Sequence, residues 1–309
     1  MSPTELSGRA RSMPRRRRGP PPGEWRRLCG ELLGRRLLGE DGSVALPVRV
    51  LPTGAFGAGR ARRVVGRNMR AYRRGWWLIV SGFFEPLFYL LSIGLGLNHL
   101  VGDLRLGGRV VTYATYVAPG LLASSAMNGS IFDSTFNIFF KLKITKAYDA
   151  ILSTPLRVRD ITLGELAWAL MRGLLYSTAF LVVMAVMGLV VSPWAILCLP
   201  SAALVGFAFG GTGMGLTSFM RNWQDFDFLF LAIMPLFLFS AVFYPLSVYP
   251  GWLQAVVTWS PLYQGVALMR ELDAGVIGPP LLAHVCYLAA MGLGGLQLAT
   301  ARLGKLLLP

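Results

Sequence analysis

Six apolar stretches, each long enough to cross a bilayer, constrain this chain more than any other feature. They lie near 76–97, 113–138, 163–191, 195–217, 227–245 and 279–301. A helix needs ~20 residues to cross the hydrocarbon core. Inside lipid every backbone polar group must find its partner within the segment, which makes these stretches helices. The expected fold is an all-α polytopic membrane protein with six transmembrane helices. The composition agrees: mean hydropathy is +0.54 and only 15 % of the 309 residues are charged, too few to cover a water-soluble surface. The chain divides into a disordered Arg/Pro/Gly-rich tail over 1–58 and a six-span domain over 59–309.

The charge is distributed unevenly enough to orient the spans. Residues 1–75 hold 18 arginines against five acids, and the loop at 140–160 adds Lys141, Lys143, Lys146, Arg157 and Arg159. With the N-terminus inside, the inner loops and both tails carry 26 of the 30 basic residues; the outer loops carry Arg105, Arg109 and Arg270, and Arg172 falls within the third span. The positive-inside bias places both termini in the cytoplasm of a multi-pass protein. No secretory signal peptide is expected, because no apolar core follows the arginine-rich start closely. The tail is read either as an attraction to anionic membrane lipids or as a solvated extension. Nucleic-acid binding is a poor third reading, since aromatics are scarce in the tail and no folded reader is recognisable, and no nucleic-acid partner is expected. Cys29, Cys198 and Cys286 are scattered and form neither a disulfide framework nor a metal site.

Local patterns refine the picture. Over 60–75 the arginines Arg60, Arg63, Arg67, Arg70 and Arg74 share one helical stripe, and Ala61, Val64, Val65, Met69 and Tyr72 share the opposite one. This pattern predicts an amphipathic helix lying in the inner interface, followed by the interfacial aromatics Trp76 and Trp77. Glu85-Pro86 in the first span reads as a pathway or hinge element, or as an internally paired carboxylate. Gly206/Gly210 and Gly211/Gly215 in the fourth span are two Gly-xxx-Gly pairs, suited to close helix packing.

Two connections carry the rest. Tyr148-Asp149-Ala150-Ile151-Leu152 through Pro155-Leu156 sits in the basic inner loop and reads as an adaptor rather than an active site. The outer segment 246–278 is cut by Pro245, Pro250 and Pro261. It predicts two short re-entrant helices in the outer leaflet, or else a compact outer loop.

Catalytic signatures are missing. There is no Gly-x-x-x-x-Gly-Lys-Ser/Thr loop for ATP, and no Gly-x-Ser-x-Gly or His-Glu-x-x-His. The histidines are His99 and His284 alone. The intramembrane polar residues Glu85, Asp133 and Arg172 are too few for an intramembrane enzyme.

These residues together resemble the type-2 ATP-binding-cassette (ABC) exporter permeases, in the branch of nodulation-factor (lipo-oligosaccharide) and anthracycline-type drug exporters. The resemblance covers roughly 60–302. It rests on Glu85-Pro86-Leu87, Tyr148 to Leu156, Asp160-Ile161, Gly164-Glu165, Phe239 to Leu246, Ser260-Pro261-Leu262-Tyr263 and Arg270. Gln264 departs from it, since this branch often has histidine there, and so does the long arginine-rich tail.

The resemblance implies a permease domain that hydrolyses nothing itself. It carries no cofactor, with ATP and Mg on two cytoplasmic ABC ATPase subunits, and it pairs with a second permease copy or a sister permease in a bacterial cytoplasmic membrane. It implies an ATPase-coupling surface at Arg67, Arg70, Arg74, Lys146, Tyr148, Asp149, Pro155, Leu156, Asp160 and Glu165. It further implies an outer gate at Phe243, Tyr244, Pro245, Pro261, Tyr263 and Arg270. The function expected is outward export of an amphipathic lipid, lipo-oligosaccharide, glycan or drug. A membrane-embedded lipid-modifying enzyme and a motor-free scaffold or channel are the alternatives.

Overall fold

A computed structural model describes residues 64–69, 84, 87–96, 104–106, 108–154 and 156–307, all within one unit, Phe56–Pro309. The expected tail, Arg70, Arg74, the Trp76-Trp77 pair, Glu85, Pro86, His99 and Pro155 lie outside the described residues.

Helix dominates. A helical turn covers 64–69, and a π-helical turn, Leu90–Leu95, closes the described part of the first apolar stretch. Helix α1 (Tyr113–Phe132) runs on through π-turns at Asp133–Asn137 and Phe140–Ile144. After it come α2 (Ala147–Leu152) and α3 (Val158–Val186). A 3-10 turn, Pro193–Leu197, leads into α4 (Cys198–Thr217), followed by α5 (Asp225–Leu238). Two short helices, α6 (Gly251–Thr258) and α7 (Pro261–Ala274), precede α8 (Pro279–Leu307).

Among the described residues three segments are long and apolar enough to cross a membrane: Val158–Val186, Pro193–Thr217 and Pro279–Leu307. The 29 residues of α3 extend about 43 Å at 1.5 Å per residue, more than the core demands. The expected span over 227–245 differs. Its helix has 14 residues, about 21 Å. It stops because Ser240-Ala241 leaves the helical path: Ala241 has a φ of +53°, a left-handed conformation that ends helices.

The expectation of an all-α chain also needs correction. Leu104–Leu106 and Arg109–Val111 pair as an antiparallel hairpin, β1 and β2. Gly108 sits at φ +80° just before β2, a backbone conformation that tight hairpin turns need and glycine supplies.

Helix α4 is the centre of the bundle, and its glycines explain why. A Cβ on Gly206 would lie 2.6 Å from Ser130 Oγ, and one on Gly210 would lie 3.0 Å from Leu166 Cδ1. On the other face, a Cβ on Gly211 would lie 2.7 Å from the Gly292 carbonyl oxygen, and one on Gly215 would lie 3.2 Å from Leu298 Cδ2. The two Gly-xxx-Gly pairs therefore serve different neighbours, the first facing α1 and α3 and the second α8. A side chain at Gly211 would push the α4 and α8 backbones apart, and one at the other three would displace neighbouring side chains; in lipid close packing is the main force holding helices together.

Candidate functional site

The inner connection is built from the chain's own turns. After Ile144 the helix breaks, and Lys146 takes a left-handed conformation (φ +46°, ψ +35°). It is exposed and leads directly into α2. That helix is two-faced. Tyr148 (1 % exposed) and Ile151 (8 %) face inward, packing in one apolar cluster with Ile138, Ile161, Leu166 and Met214; Leu156 packs against its edge. Asp149 and Ala150 face out. The short helix is thus held rigidly from beneath while Asp149 and Lys146 stay free to meet another surface. Burial raises the Tyr148 phenol well above its ordinary pKa, and the neighbouring Glu165 carboxylate adds to the shift.

Asp160 and Glu165 are buried at 5 % and 3 %, so neither presents itself to a partner. Asp160 Oδ2 accepts a hydrogen bond from the Arg157 backbone N–H at 3.0 Å. This caps α3 with a carboxylate at its positive end. Glu165 is a hub. Lys141 Nζ donates to Oε1 at 2.9 Å and to Oε2 at 2.7 Å, and Asn68 Nδ2 donates to Oε2 at 2.8 Å. Arg67 Nη2 lies 3.6 Å from Oε1, and Lys141 Nζ also donates to Asn68 Oδ1 at 2.9 Å. Burial lowers the Lys141 ammonium below its ordinary value, and Glu165 opposes that shift.

The hub ties the turn at 64–69, the end of the α1 run and α3 together. The expectation for 60–75 put Arg67 on a water-facing stripe and Val64 with Met69 on the buried one. In the structure the buried positions are Val64 and Asn68, while Met69 is 53 % exposed. Asn68 faces inward because a polar partner waits there, a placement that apolar periodicity misses.

Deeper in the bundle, Arg172 Nη1 donates to Asp133 Oδ1 and its Nη2 to the Tyr176 hydroxyl at 2.9 Å. Asp133 opens the first π-turn. Asp133 and Arg172, two of the three charged residues noted within the expected spans, are therefore partners, as intramembrane charge requires.

The cluster at the expected outer gate centres on Arg270, 8 % exposed on α7. Its Nε donates to the Tyr116 carbonyl at 3.2 Å and its Nη2 to the Val242 carbonyl at 2.7 Å. The guanidinium lies 3.9 Å from the Tyr116 ring centroid, a cation–π contact. Arg270 thereby links α1, α7 and the sharp turn after α5. In that turn Phe243 is buried and Tyr244 is 54 % exposed. Pro245 is half-buried and caps a 3-10 turn, Leu246–Val248. Pro261 occupies the first turn of α7 behind Ser260, whose Oγ lies 3.0 Å from Ser240 Oγ. Tyr263 is half-buried. Gln264, the departure from the resemblance, donates to the Thr258 carbonyl at 2.6 Å and meets His284 Nδ1 through its Oε1. Helix α6 leaves Trp252 and Trp259 more than 70 % exposed, as interfacial aromatics would be.

Among the described residues no group of three or more His, Cys, Asp or Glu could hold a metal ion. Sequence reasoning missed Asn68, Lys141 as the partner of Glu165, and Asp273, which is fully buried and accepts from the Val191 N–H at 3.4 Å. Asp273 follows Arg270 and Glu271 in a polar stretch, so the sequence carried no signal for its burial.

The site now described has counterparts in known proteins. Residues 61–272 match the family model described as ABC-2 type transporter. Nodulation protein J of Rhizobium meliloti (strain 1021) is 32 % identical over 235 residues, 75 % of this chain and 87 % of the relative. Nodulation protein J of Sinorhizobium fredii (strain NBRC 101917 / NGR234) is 34 % identical over 232 residues, 73 % and 86 % of the two chains. The protein of that name from Rhizobium leguminosarum bv. trifolii is 32 % identical over 244 residues, 78 % and 92 %. The matched segment spans both the Glu165 hub and Arg270. The chain belongs to the ABC-2 type transporter family, as a membrane subunit of a transporter rather than an enzyme.

Proposed function

We propose that this chain is the permease subunit of an ATP-driven exporter, with hydrolysis on two separate cytoplasmic ABC ATPase subunits. The observation that carries the reading is the build of α2: a short helix glued to the bundle through Tyr148 and Ile151, with Asp149 and Lys146 turned outward. Such a helix transmits a push instead of absorbing it. Force applied at Asp149 passes through the apolar cluster and the Glu165 hub into α3 and the α1 run. Arg270 couples the far end of α1 to the outer turn, so movement at the inner face has a packed route outward.

In this reading six helices cross a bacterial cytoplasmic membrane, with both termini in the cytoplasm. Two permeases, identical or sister chains, face one another. The substrate is an amphipathic molecule moved outward. The resemblance to nodulation-factor exporter permeases favours a lipo-oligosaccharide-like cargo.

The test is purification of tagged protein from its native membrane in mild detergent, followed by ATPase assay of the eluate. A co-purifying P-loop subunit whose activity falls with Asp149→Ala, at unchanged permease yield, is the expected result. An eluate without any ATPase, or full activity in the Asp149→Ala variant, overturns the reading.

A further inference from the structure

A second surface lies at the inner ends of α3 and α8, where two adjoining hollows of about 390 Å³ and about 810 Å³ open between them. Arg159, Thr300 and Ala301 line both. The larger one adds Arg157 and Lys305, the smaller one Leu163 and Leu296. We propose that this cleft is a binding site for an anionic phospholipid of the inner leaflet. Its phosphate would lie among Arg157, Arg159 and Lys305, and an acyl chain would lie along Leu163 and Leu296.

Three observations converge on a lipid. The first is charge: three cations and no acid line the hollows, and none of the three forms a side-chain ion pair among the described residues. The second is order along the helices. Helices α3 and α8 cross the bilayer in opposite senses, so Arg159 and Lys305 lie at the inner end while Leu163 and Leu296 lie deeper. Both walls thus change from basic to apolar in the same direction, as a lipid does. Leu163 is 42 % exposed, open to an acyl chain. The third is rigidity: the Thr162 and Thr300 hydroxyls meet at 3.1 Å, joining the helices where the hollows adjoin. Basic hollows between helices at this depth suit anionic headgroups. The chain's own start is a poor occupant, because residues 1–75 carry 18 arginines against five acids and would be repelled. The placement of the cleft in the inner leaflet rests on the orientation given above; lipid binding itself requires no ATPase.

The test uses the full chain, with any co-purifying subunits, in nanodiscs of phosphatidylcholine with or without phosphatidylglycerol. Lipid retained on the released protein is read by native mass spectrometry. Phosphatidylglycerol is expected to be retained over phosphatidylcholine. Arg159→Gln should weaken retention about five-fold, and Arg159→Gln with Lys305→Gln about thirty-fold, from ~1 kcal/mol per basic residue at an anionic surface. The charge-preserving pair Arg159→Lys with Lys305→Arg should retain it, which separates charge from misfolding. Arg221→Gln, exposed on another inner loop, should change nothing. Equal retention of both lipids, or unchanged retention in the double glutamine variant, overturns the proposal. Competition by inorganic phosphate at matched concentration would assign the cleft to a free anion instead. Loss of a co-purifying ATPase with lipid retention intact would assign it to the motor.

Discussion

Asn68 and Glu165 stand 97 positions apart and share a buried 2.8 Å hydrogen bond, with Lys141 Nζ bonded to both side chains. Three separate stretches of chain meet at this one carboxylate. A buried charge is tolerable only when it is paired and hydrogen-bonded, so the cluster stands or falls as a unit.

Glu165→Gln keeps the shape but leaves Lys141 buried without a counter-ion. Removal of one partner from a buried pair typically costs ~3–5 kcal/mol. We expect a clear drop in the thermal midpoint of the detergent-purified protein. Glu165→Gln combined with Lys141→Met should be milder than the sum of the single changes, with a coupling of about 1 kcal/mol or more. Additive single effects would show that the two residues do not act together.

Tyr148 and Asp149 are adjacent on α2 and should separate stability from coupling. Tyr148→Ala empties a buried aromatic site, at about 3–5 kcal/mol by analogy with other large core truncations, and should lower the melting temperature and the yield. Asp149→Ala removes an exposed side chain and should leave the melt within about 0.5 kcal/mol of the parent while depressing the activity of the co-purified ATPase. A melt shift of similar size in both variants would contradict the two-faced reading of α2.

Arg270→Lys tests the geometry of the outer cluster. Arginine reaches two carbonyls from a planar fork and also lies over the Tyr116 ring; lysine offers a single point charge. Lysine should therefore rescue little of the export lost in Arg270→Leu. Near-parental export with lysine would mean that charge alone suffices.

Two neighbouring glycines on α8 should behave oppositely. A Cβ on Gly295 would come within 2.4 Å of the Thr212 backbone nitrogen, whereas one on Gly294 meets nothing within 4 Å. Gly295→Ala should force α4 and α8 apart at a cost of about 1–3 kcal/mol. Gly294→Ala should be neutral or gain up to ~1 kcal/mol from helix propensity. Similar melts for the two would rule out the tight α4–α8 approach.

Much of the candidate site was legible in one dimension. The Pro-cut segment after α5 and the paired glycines of α4 each pointed to local structure that the chain adopts. The role of Glu165 was not legible as such. The resemblance implied a place for it on a coupling surface, and only the packing of three distant segments shows it to be internal. Asp160 was displaced for a simpler reason: three residues into a helix, a carboxylate caps its own backbone before it meets anything else. The short α5 escaped detection because its apolar run continues past the point where Ala241 turns left-handed.

By itself, the sequence determined that this chain is helical and membrane-borne, and it marked the connections around Tyr148 and Pro261 as more than linkers. Hydropathy and charge act locally, through the transfer of each segment between water and lipid, so a linear reading captures them. The tertiary structure alone decided which charges are partners, which face of α4 meets which neighbour, and that Lys146 and Ala241 turn left-handed. Pairing and close approach depend on residues far apart in the chain, and only the folded backbone brings those residues within the few ångströms over which hydrogen bonds and packing forces operate.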